Sequence, residues 1–190
     1  VAAIDRAKDD RQTLGGLFVA FAVGAPVGLG SYTQWDLRLD GRLAQAICSI
    51  PAIKGVEIGP GFELSSLTGS QGQDAILGSP SKLIRGSNFA GGLEGGMSNG
   101  EPIVLRAAMK PLSSTRAPVT SVDLRTGAAA DAPYVRSDVC AVPAAAVVGE
   151  AMLGWVLAQA LIERFGGDRL DASLAAAHQV EMEPIPGNGR

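Results

Sequence analysis

The segment AGGLEGGMSNGEPIVLRAAMKPLSS, residues 90–114, carries much of the information about the fold. Closely spaced glycines come first, the apolar stretch Pro102 to Met109 follows, and a lysine, a proline and hydroxyl side chains end the segment. Glycine adopts backbone conformations that other residues avoid, so the first part predicts tight turns. The apolar stretch predicts a strand. A further strand and turn are predicted at TSVDLRTG, residues 120–127.

Upstream, the pattern alternates between strands and helices. LFVAFAVGAPVGLG, Leu17 to Gly30, predicts a buried strand followed by a turn-rich loop. Apolar residues at helical spacing in LRLDGRLAQAICSI predict a helix that Asp36 caps and Pro51 ends. VEIGPGFEL, residues 56–64, predicts a strand interrupted by a glycine turn, with a possible bulge.

The remaining segments predict one long loop, one C-terminal tail and two helices. We expect a long loop from Ser65 to Ser87 and a frayed tail in EMEPIPGNGR, residues 181–190. The opening VAAIDRAKDD predicts the end of a helix that Gly15 and Gly16 stop, which suggests a fragment of a larger protein. The longest helix is predicted from Ala144 to Phe165. Its uncharged stretch is too short to span a bilayer, so we expect a buried or sandwiched helix.

Composition excludes several classes of protein. The 190 residues, 46% of them hydrophobic, suit one domain with a sizeable core. A formal net charge of −3 and an aromatic content of 5% disfavour a nucleic-acid binder. Cys48 and Cys140 form no disulfide framework, and with a single histidine they make no recognisable metal site. We therefore expect a cytoplasmic protein with reduced thiols, no metal, and no membrane or nucleic-acid partner.

Three loops contain residues suited to chemistry. The glycine cluster at 91–100 could present backbone N–H groups to an anion or cofactor ring, although a pair of tight hairpin turns is the simpler interpretation. Lys110 to Thr115 could grip a phosphate, or form a solvated loop. Arg136 could bind an anion and Asp138 could act as a general base, or the two could form a structural pair. His178 is interpreted as a surface helix residue.

Taken in order, three segments closely resemble chorismate synthases, in particular those of actinobacteria. They are SIPAIKGVEIGPGF at 49–62, the 90–114 segment, and RSDVCAVPAAAVVGEAM at 136–152. The resemblance implies an α+β sandwich with helices packed between antiparallel sheets, of which residues 1–190 form the C-terminal half. It implies a lyase that converts 5-enolpyruvylshikimate 3-phosphate to chorismate and phosphate by anti 1,4-elimination, with reduced FMN as cofactor. The alternative is a non-catalytic fragment that binds FMN weakly at most.

The resemblance also assigns roles to particular residues. It implies flavin contacts for a set drawn from all three segments: Pro51, Ala52, Gly95, Lys110, Pro111, Leu112, Ser113, Ser114 and Arg136. It implies substrate contacts for Arg136 and Asp138, with Asp138 as the carboxylate that removes the ring proton.

Two departures from the family pattern accompany these assignments. Ser137 and Val139 stand where the family often has His and Pro, and Pro51 replaces a commonly polar residue. The family's N-terminal histidines and arginines do not occur in this sequence. The resemblance further implies a cytoplasmic homotetramer, the missing N-terminal half as a partner, and NADP as the associated nicotinamide, although the residues do not indicate which reductant supplies the flavin.

Overall fold

The computed structural model describes residues 1–79, 82–117 and 119–182. Its helices are α1 (Ala2–Asp9), α2 (Leu39–Cys48), α3 (Gly61–Leu64), α4 (Val142–Phe165) and α5 (Leu170–Met182), with a short 3₁₀ helix at Trp35–Leu37. Its strands are β1 (Gly16–Ala22), β2 (Ile53–Ile58), β3 (Ile76–Ser79), β4 (Lys82–Arg85), β5 (Leu93–Glu94), β6 (Met97–Ser98), β7 (Ile103–Met109), β8 (Thr120–Val122) and β9 (Ala129–Asp131).

A three-stranded antiparallel sheet organises the molecule, in the order β1-β7-β2. Strand β7 lies at its centre and pairs with β1 from Gly16↔Met109 to Ala22↔Ile103. Alternate residues of β7 are buried, beginning at Ile103 and ending at Met109. Successive side chains of a strand point to opposite faces, so this alternation places one face of the sheet in the core. The pairing of β2 with β7 shifts register between Ile53 and Gly55, which lies before the 56–64 segment in which the sequence suggested a bulge.

Helices α2 and α4 cover that buried face. Their core-facing side chains are spaced by three or four residues, as one face of a helix requires. They are Leu39, Leu43 and Ile47 of α2 and Ala145, Gly149, Leu153, Val156 and Ala160 of α4. A Cβ atom on Gly149 would lie 2.5 Å from Cε2 of Phe18, so glycine is what lets α4 pack directly on β1. Burial of each large aliphatic side chain contributes about 1.5–3 kcal/mol to this core.

The other strands form three separate hairpins: β3-β4, β5-β6 and β8-β9. The turn between β5 and β6 consists of Gly95 and Gly96, with φ values of +61° and +90°. Two consecutive positive φ angles are typical of a type I′ turn, which joins twisted strands and strongly prefers glycine. Of the pair of tight hairpin turns predicted for the glycine cluster, the structure shows one, at Gly95 and Gly96.

The structure confirms the α+β class, the central strand and the long apolar helix. The prediction of a buried strand from Leu17 was wrong, because β1 is buried on one face only and exposes Leu17, Val19 and Phe21 on the other.

Four further predictions of local structure were wrong. Asp36 lies in the 3₁₀ helix and does not cap α2, whose N-cap is Arg38. Helix α1 ends at Asp9, before Gly15, because the chain turns at Arg11 with φ +58°. Helix α4 begins at Val142, not Ala144, since Pro143 is favourable in a first helical turn.

The last of these errors concerns the segment predicted as a loop from Ser65 to Ser87, which contains the hairpin β3-β4. All four residues of β3 are exposed. A hairpin with no buried side gives no alternation of buried and exposed residues, so its sequence resembles that of a loop. Of the predicted tail, Glu181 and Met182 belong to α5, and residues 183–190 lie outside the described part of the chain.

Candidate active site

The loop that follows β7 begins beside the turn after α2. The backbone N–H of Lys110 donates to the carbonyl of Ala52 over 2.9 Å. Ala52 has a φ of +68°, an uncommon conformation for a residue with a Cβ atom. Two segments that the resemblance assigned to flavin binding, Pro51–Ala52 and Lys110–Ser114, therefore lie against each other in the fold.

The segment before β1 supports the same loop from another side. The Thr13 hydroxyl donates to the carbonyl of Leu112 over 2.6 Å, and the Thr115 hydroxyl donates to the carbonyl of Arg11 over 2.7 Å. A Cβ atom on Gly15 would lie 2.3 Å from the carbonyl oxygen of Met109, so no larger residue fits there without a shift of the backbone. The 110–115 loop is thus fixed by contacts distant in sequence.

Ser114 joins this loop to the segment that contains Arg136. Its hydroxyl accepts a hydrogen bond from the N–H of Val135 over 2.9 Å and donates to the carbonyl of the same residue. The Ser137 hydroxyl donates to the Ser114 carbonyl over 2.9 Å. Ser114 is thereby held beside Val135 and Ser137, which follow it by 21 and 23 positions in the sequence. The structure brings together the second and third loops that the sequence singled out.

Arg116 and Tyr134 lie at the same junction, and neither belongs to a recognisable sequence motif. The Arg116 guanidinium lies 5.7 Å from the centroid of the Tyr134 ring, and its Nε donates to the phenolic oxygen over 3.4 Å. This hydrogen bond is the main reason why the pKa of Tyr134 lies below its usual value, and the charge of Arg136 contributes to the same direction. The one signal in the sequence is that basic residues outnumber acidic ones between positions 110 and 136, and it does not indicate that Arg116 and Tyr134 are in contact.

The charged side chains of the junction are open to solvent. Lys110, Arg136 and Asp138 are all exposed, and none of them belongs to an ion pair within the described residues. The alternative prediction, a structural ion pair between Arg136 and Asp138, was therefore wrong. Cationic side chains without ion-pair partners suit an anionic ligand, and the single carboxylate beside them suits proton transfer.

Gly95 does not belong to this junction. Its hairpin packs at the opposite end of β7, where the N–H of Leu39 donates to the carbonyl of Gly96 over 2.8 Å. The strand from Ile103 to Met109 separates the two ends by about 20 Å at roughly 3.3 Å per residue. Within this chain, the predicted flavin residues therefore form one cluster without Gly95.

Asp74 fixes the segment that precedes the glycine cluster, a role that the sequence analysis did not predict. Its carboxylate accepts hydrogen bonds from the Ser87 hydroxyl at 2.5 Å, the Phe89 N–H at 2.7 Å and the Ala90 N–H at 2.9 Å. Desolvation by burial raises the pKa of Asp74, but these three hydrogen bonds and the charge of Arg85 together outweigh it, so the net pKa lies below the usual value. The carboxylate thus serves as an anionic anchor for residues 87–90.

Two concave surfaces of the described part of the chain lie away from the junction. A shallow cavity of about 220 Å³ is lined by Gly30, Ser31, Leu37, Ala160, Glu163 and Arg164. Another of about 230 Å³ lies on the outer face of the sheet, around Leu17, Phe62 and Arg106. Among the described residues, no group of three or more His, Cys, Asp or Glu side chains could hold a metal ion. Neither cavity is lined by a residue of the junction.

Comparison with known proteins decides the family. A model of the chorismate synthase family matches residues 1–162. This chain belongs to the chorismate synthase family. The chorismate synthases of Desulforudis audaxviator and Nocardia farcinica are 53% and 54% identical to it over 189 and 195 residues, which cover 99% and 100% of this chain. A crystal structure of a chorismate synthase superposes on 95% of the chain with a TM-score of 0.78 and 45% identity.

The chain spans about half the length of the curated chorismate synthases that it matches. The matched region is 48% of the Desulforudis protein, 48% of the Nocardia protein and 46% of the crystallised chain. The resemblance to the family, including its actinobacterial members, is confirmed. The remaining half of those relatives has no counterpart in these 190 residues.

Proposed function

We propose that this chain supplies the flavin- and anion-binding side of a chorismate synthase. The reaction is the anti 1,4-elimination of phosphate from 5-enolpyruvylshikimate 3-phosphate to give chorismate, and it makes the protein a carbon–oxygen lyase of the shikimate pathway. The observation that carries the proposal is the junction at Ser114, where the Lys110 loop and the Arg136 segment meet beside Ala52.

The donors at the junction fit a phosphorylated flavin. Lys110 and Arg136 provide positive charge, and Ser113 provides an exposed hydroxyl on the intervening loop. Arg116 adds a second guanidinium, which is held by Tyr134. Reduced FMN, when bound, supplies transient electron density that helps the phosphate to leave. The residues that we propose to hold it are Pro51, Ala52, Lys110, Pro111, Leu112, Ser113, Ser114 and Arg136, with Gly95 from the other end of β7.

Asp138 is the residue that we propose to accept the proton from the substrate ring. In the elimination, one ring C–H bond and the C–O bond to phosphate break, a new C=C bond forms, and phosphate leaves with the electrons of the C–O bond. The proton passes to the Asp138 carboxylate and then to solvent, so the reaction has no net redox change. Arg136, two residues before it, is suited to hold an anionic group of the substrate in a bidentate manner.

The second candidate function is that of a non-catalytic fragment that binds reduced FMN weakly. The exposure of Lys110, Arg136 and Asp138 favours it, because catalytic groups work best where water is excluded. The two candidates differ in what the chain does when the remainder of the domain is added. An anaerobic titration with reduced FMN, with and without 5-enolpyruvylshikimate 3-phosphate, followed by a chorismate assay, is made on the chain alone and on the chain with that remainder. Turnover only with the remainder supports the first candidate, and binding of reduced FMN without turnover in both cases supports the second. Turnover by the chain alone would contradict the proposal that the N-terminal half completes the site, and no binding in either case would contradict both candidates.

The assembly and its setting follow from the same proposal. We infer that the working enzyme is a cytoplasmic homotetramer in which the N-terminal half of the family's domain completes each site, with NADP as the associated nicotinamide. The mass of the complete assembly in solution tests the oligomeric part of this inference.

The role of Asp138 is tested in the chain combined with the remainder of the domain. We expect Asp138→Asn to lower turnover at least about 100-fold, since general-base catalysis contributes 10²–10⁴. The Kd of reduced FMN should change less than about twofold, because the amide keeps the shape of the carboxylate. Asp131→Asn, an exposed acid at the end of β9, is the matched control. Unchanged turnover in Asp138→Asn would remove Asp138 from the mechanism.

The role of Lys110 is tested by flavin affinity. We expect Lys110→Ala to weaken the binding of reduced FMN about tenfold, which is 1.4 kcal/mol, because a cation next to the phosphate or ring is lost. Lys54→Ala serves as the control, since Lys54 is an exposed lysine on β2. Equal affinities of the two variants would contradict a flavin contact of Lys110.

A further inference from the structure

The side chain of Arg116 is held in place without a carboxylate. Its guanidinium lies 5.7 Å from the centroid of the Tyr134 ring, and its Nε donates to the phenolic oxygen over 3.4 Å. By contrast, Arg42 is held by the carboxylate of Glu163 over 2.6 Å. A carboxylate neutralises the arginine that it binds, whereas a neutral phenol does not. Arg116 is therefore fixed in position while its charge remains available to a ligand.

The hairpin β8-β9 is what brings Arg116 and Tyr134 together. The two residues are 18 positions apart in the sequence. Arg116 precedes β8 and Tyr134 follows β9, and the two strands pair antiparallel. Beyond the last strand pair, the N–H of Ala132 donates to the carbonyl of Val119 over 3.0 Å, which extends the pairing toward the base of the hairpin. The position of the Arg116 guanidinium is thus set by tertiary contacts and not by its neighbours in the sequence.

Two cations act on the phenol of Tyr134. Its pKa lies below the usual value, first because Arg116 donates a hydrogen bond to it, and the positive charges of Arg116 and Arg136 add to this direction. Both guanidiniums therefore lie close enough to the phenol to influence its ionisation. Two positive charges around one neutral group produce a local positive potential, which an anion would neutralise.

The guanidinium of Arg116 has donors left for such an anion. Arginine carries five N–H groups in a planar fork, and the hydrogen bond to Tyr134 uses that of Nε. Among the described residues, Arg116 belongs to no ion pair. Its two terminal nitrogens can bind two oxygens of one anion side by side. Because Tyr134 already restricts the side chain, less rotamer freedom is lost on binding than with an unheld arginine.

A phosphate monoester suits this arrangement better than a carboxylate does. It has three terminal oxygens and close to two negative charges at neutral pH, whereas a carboxylate has two oxygens and one charge. The loop that ends at Arg116 also contains Lys110 and the exposed hydroxyl of Ser113. One loop thus carries a point charge, a hydroxyl and a guanidinium fork, which together offer more donors than a carboxylate can use.

We propose that Arg116 binds a phosphate monoester, that Tyr134 positions it to do so, and that the pair makes the site select phosphorylated ligands over their dephosphorylated forms. The inference rests on the proposed function, because that function supplies two ligands with such a group, reduced FMN and 5-enolpyruvylshikimate 3-phosphate. Arg116 touches the ligand, and Tyr134 acts through Arg116.

The first experiment tests phosphate binding at Arg116 without flavin or substrate. It uses the chain combined with the remainder of the domain, and inorganic phosphate is the probe. The NMR signal of the Tyr134 ring carbon Cζ, assigned by its absence in Tyr134→Phe, reports the ionisation of the phenol. Phosphate bound to Arg116 should raise the pKa of Tyr134, because it neutralises the charge that lowers it. Potassium chloride at equal ionic strength controls for screening.

Variants locate the bound phosphate. In Arg116→Ala, the pKa of Tyr134 should be higher from the start, since the main cause of its lowering is lost, and should no longer respond to phosphate. Arg125→Ala removes an exposed arginine at the far end of the same hairpin and should respond as the unmodified protein does. A response to phosphate no larger than that to chloride, or one that persists in Arg116→Ala, would overturn the inference.

The second experiment identifies which phosphate is bound. The Kd values of reduced FMN and reduced riboflavin are measured under anaerobic conditions, as are those of 5-enolpyruvylshikimate 3-phosphate and its dephosphorylated form. We expect Arg116→Ala to weaken a phosphorylated ligand about tenfold and its dephosphorylated counterpart less than about twofold. A loss within the flavin pair assigns the flavin phosphate, and a loss within the substrate pair assigns the substrate phosphate. Equal changes within both pairs, including no change, would contradict phosphate selection by Arg116.

A double-mutant cycle tests the positioning role of Tyr134. Tyr134→Phe keeps the ring beside the guanidinium and removes the oxygen that accepts from Nε. It should weaken the same ligand about threefold in the unmodified protein and leave its affinity unchanged in an Arg116→Ala background. An equal effect in both backgrounds would show that Tyr134 does not act through Arg116. If the unmodified protein binds neither flavin nor substrate, the proposed function fails, and the response of Tyr134 to inorganic phosphate still decides whether Arg116 binds phosphate.

Discussion

The sheet with its two covering helices and the junction around Ser114 are built on different principles. In the first region, Leu43, Ile47, Ile103 and Leu105 are almost completely buried, and the order comes from apolar packing and a regular ladder of backbone hydrogen bonds. In the second, the order comes from single hydroxyl groups that hold the loop backbone. The charged residues proposed to act on flavin and substrate, Lys110, Arg136 and Asp138, all belong to the second region.

This difference indicates which parts of the fold can carry ligand-binding residues. A close-packed core tolerates few changes of shape, whereas exposed loops can present charges to a ligand if something fixes their backbone. Here Thr13, Thr115, Ser114 and Ser137 provide that fixation by hydrogen bonds to main-chain atoms. The two regions should therefore respond to mutation with different magnitudes and in different observables.

The largest effect is expected in the core. Leu105 is 1% exposed at the centre of β7, and Leu105→Ala should lower the free energy of unfolding by about 2–5 kcal/mol, because transfer and cavity terms add. Urea denaturation measures it. Val19→Ala, on the exposed face of the adjacent strand, should cost less than about 1 kcal/mol. Similar costs for the two variants would erase the distinction between a packed core and an open outer face.

An intermediate effect is expected at Asp74, whose carboxylate holds three donors. Asp74→Asn should destabilise the 87–90 segment by about 2 kcal/mol, since hydrogen bonds to a charged acceptor are the stronger kind. The folded pKa is lowered relative to the ordinary value of 3.8, so the carboxylate contributes stability above that value and loses it as the pH falls through the folded pKa.

Amide hydrogen exchange at Phe89 and Ala90 measures this effect. Protection of both amides should decline in the wild-type chain as the pH is lowered below about 3.8, while Asp74→Asn should be less protected at pH 6 and should show no such decline. Asp123 is a suitable comparison, since its lowered pKa comes first from hydrogen bonds donated by Thr126 and Arg125 in a separate turn. Equal pH profiles for Phe89 in the wild type and in Asp74→Asn would contradict the anchor.

The smallest effect is expected at Ser114. Ser114→Ala should cost about 1 kcal/mol, the usual net value of a hydrogen bond between neutral groups. The loss should be local: the amide of Val135 should exchange several-fold faster, while the sheet amides remain unchanged. Ser113→Ala removes a neighbouring exposed hydroxyl and should leave Val135 protected. If both variants behave alike, the 110–115 loop and the 134–138 segment are not joined through Ser114.

Much of the architecture could be predicted from the sequence because apolar residues mark it locally. Helix α2 is signalled by apolar residues at helical spacing, and strand β7 and helix α4 by apolar stretches of different length; the existence of all three was predicted correctly. Boundaries were less accurate: Asp36 looked like a cap, but the chain forms a 3₁₀ turn before α2 begins at Leu39. The hairpin β3-β4 was missed because no side of it is buried.

By itself, the sequence determined the class of fold, the family and the three loops with chemically suitable residues, because periodicity and motifs are local properties of a chain. Tertiary structure alone decided that Ala52, Lys110, Ser114 and the segment around Arg136 meet, and that Gly95 lies at the far end of β7. Ser114 and Val135 are 21 positions apart in the sequence, and Ala52 and Lys110 are 58 apart. Their contacts are set by strand register and by hydroxyl hydrogen bonds, which leave no repeating pattern in the sequence.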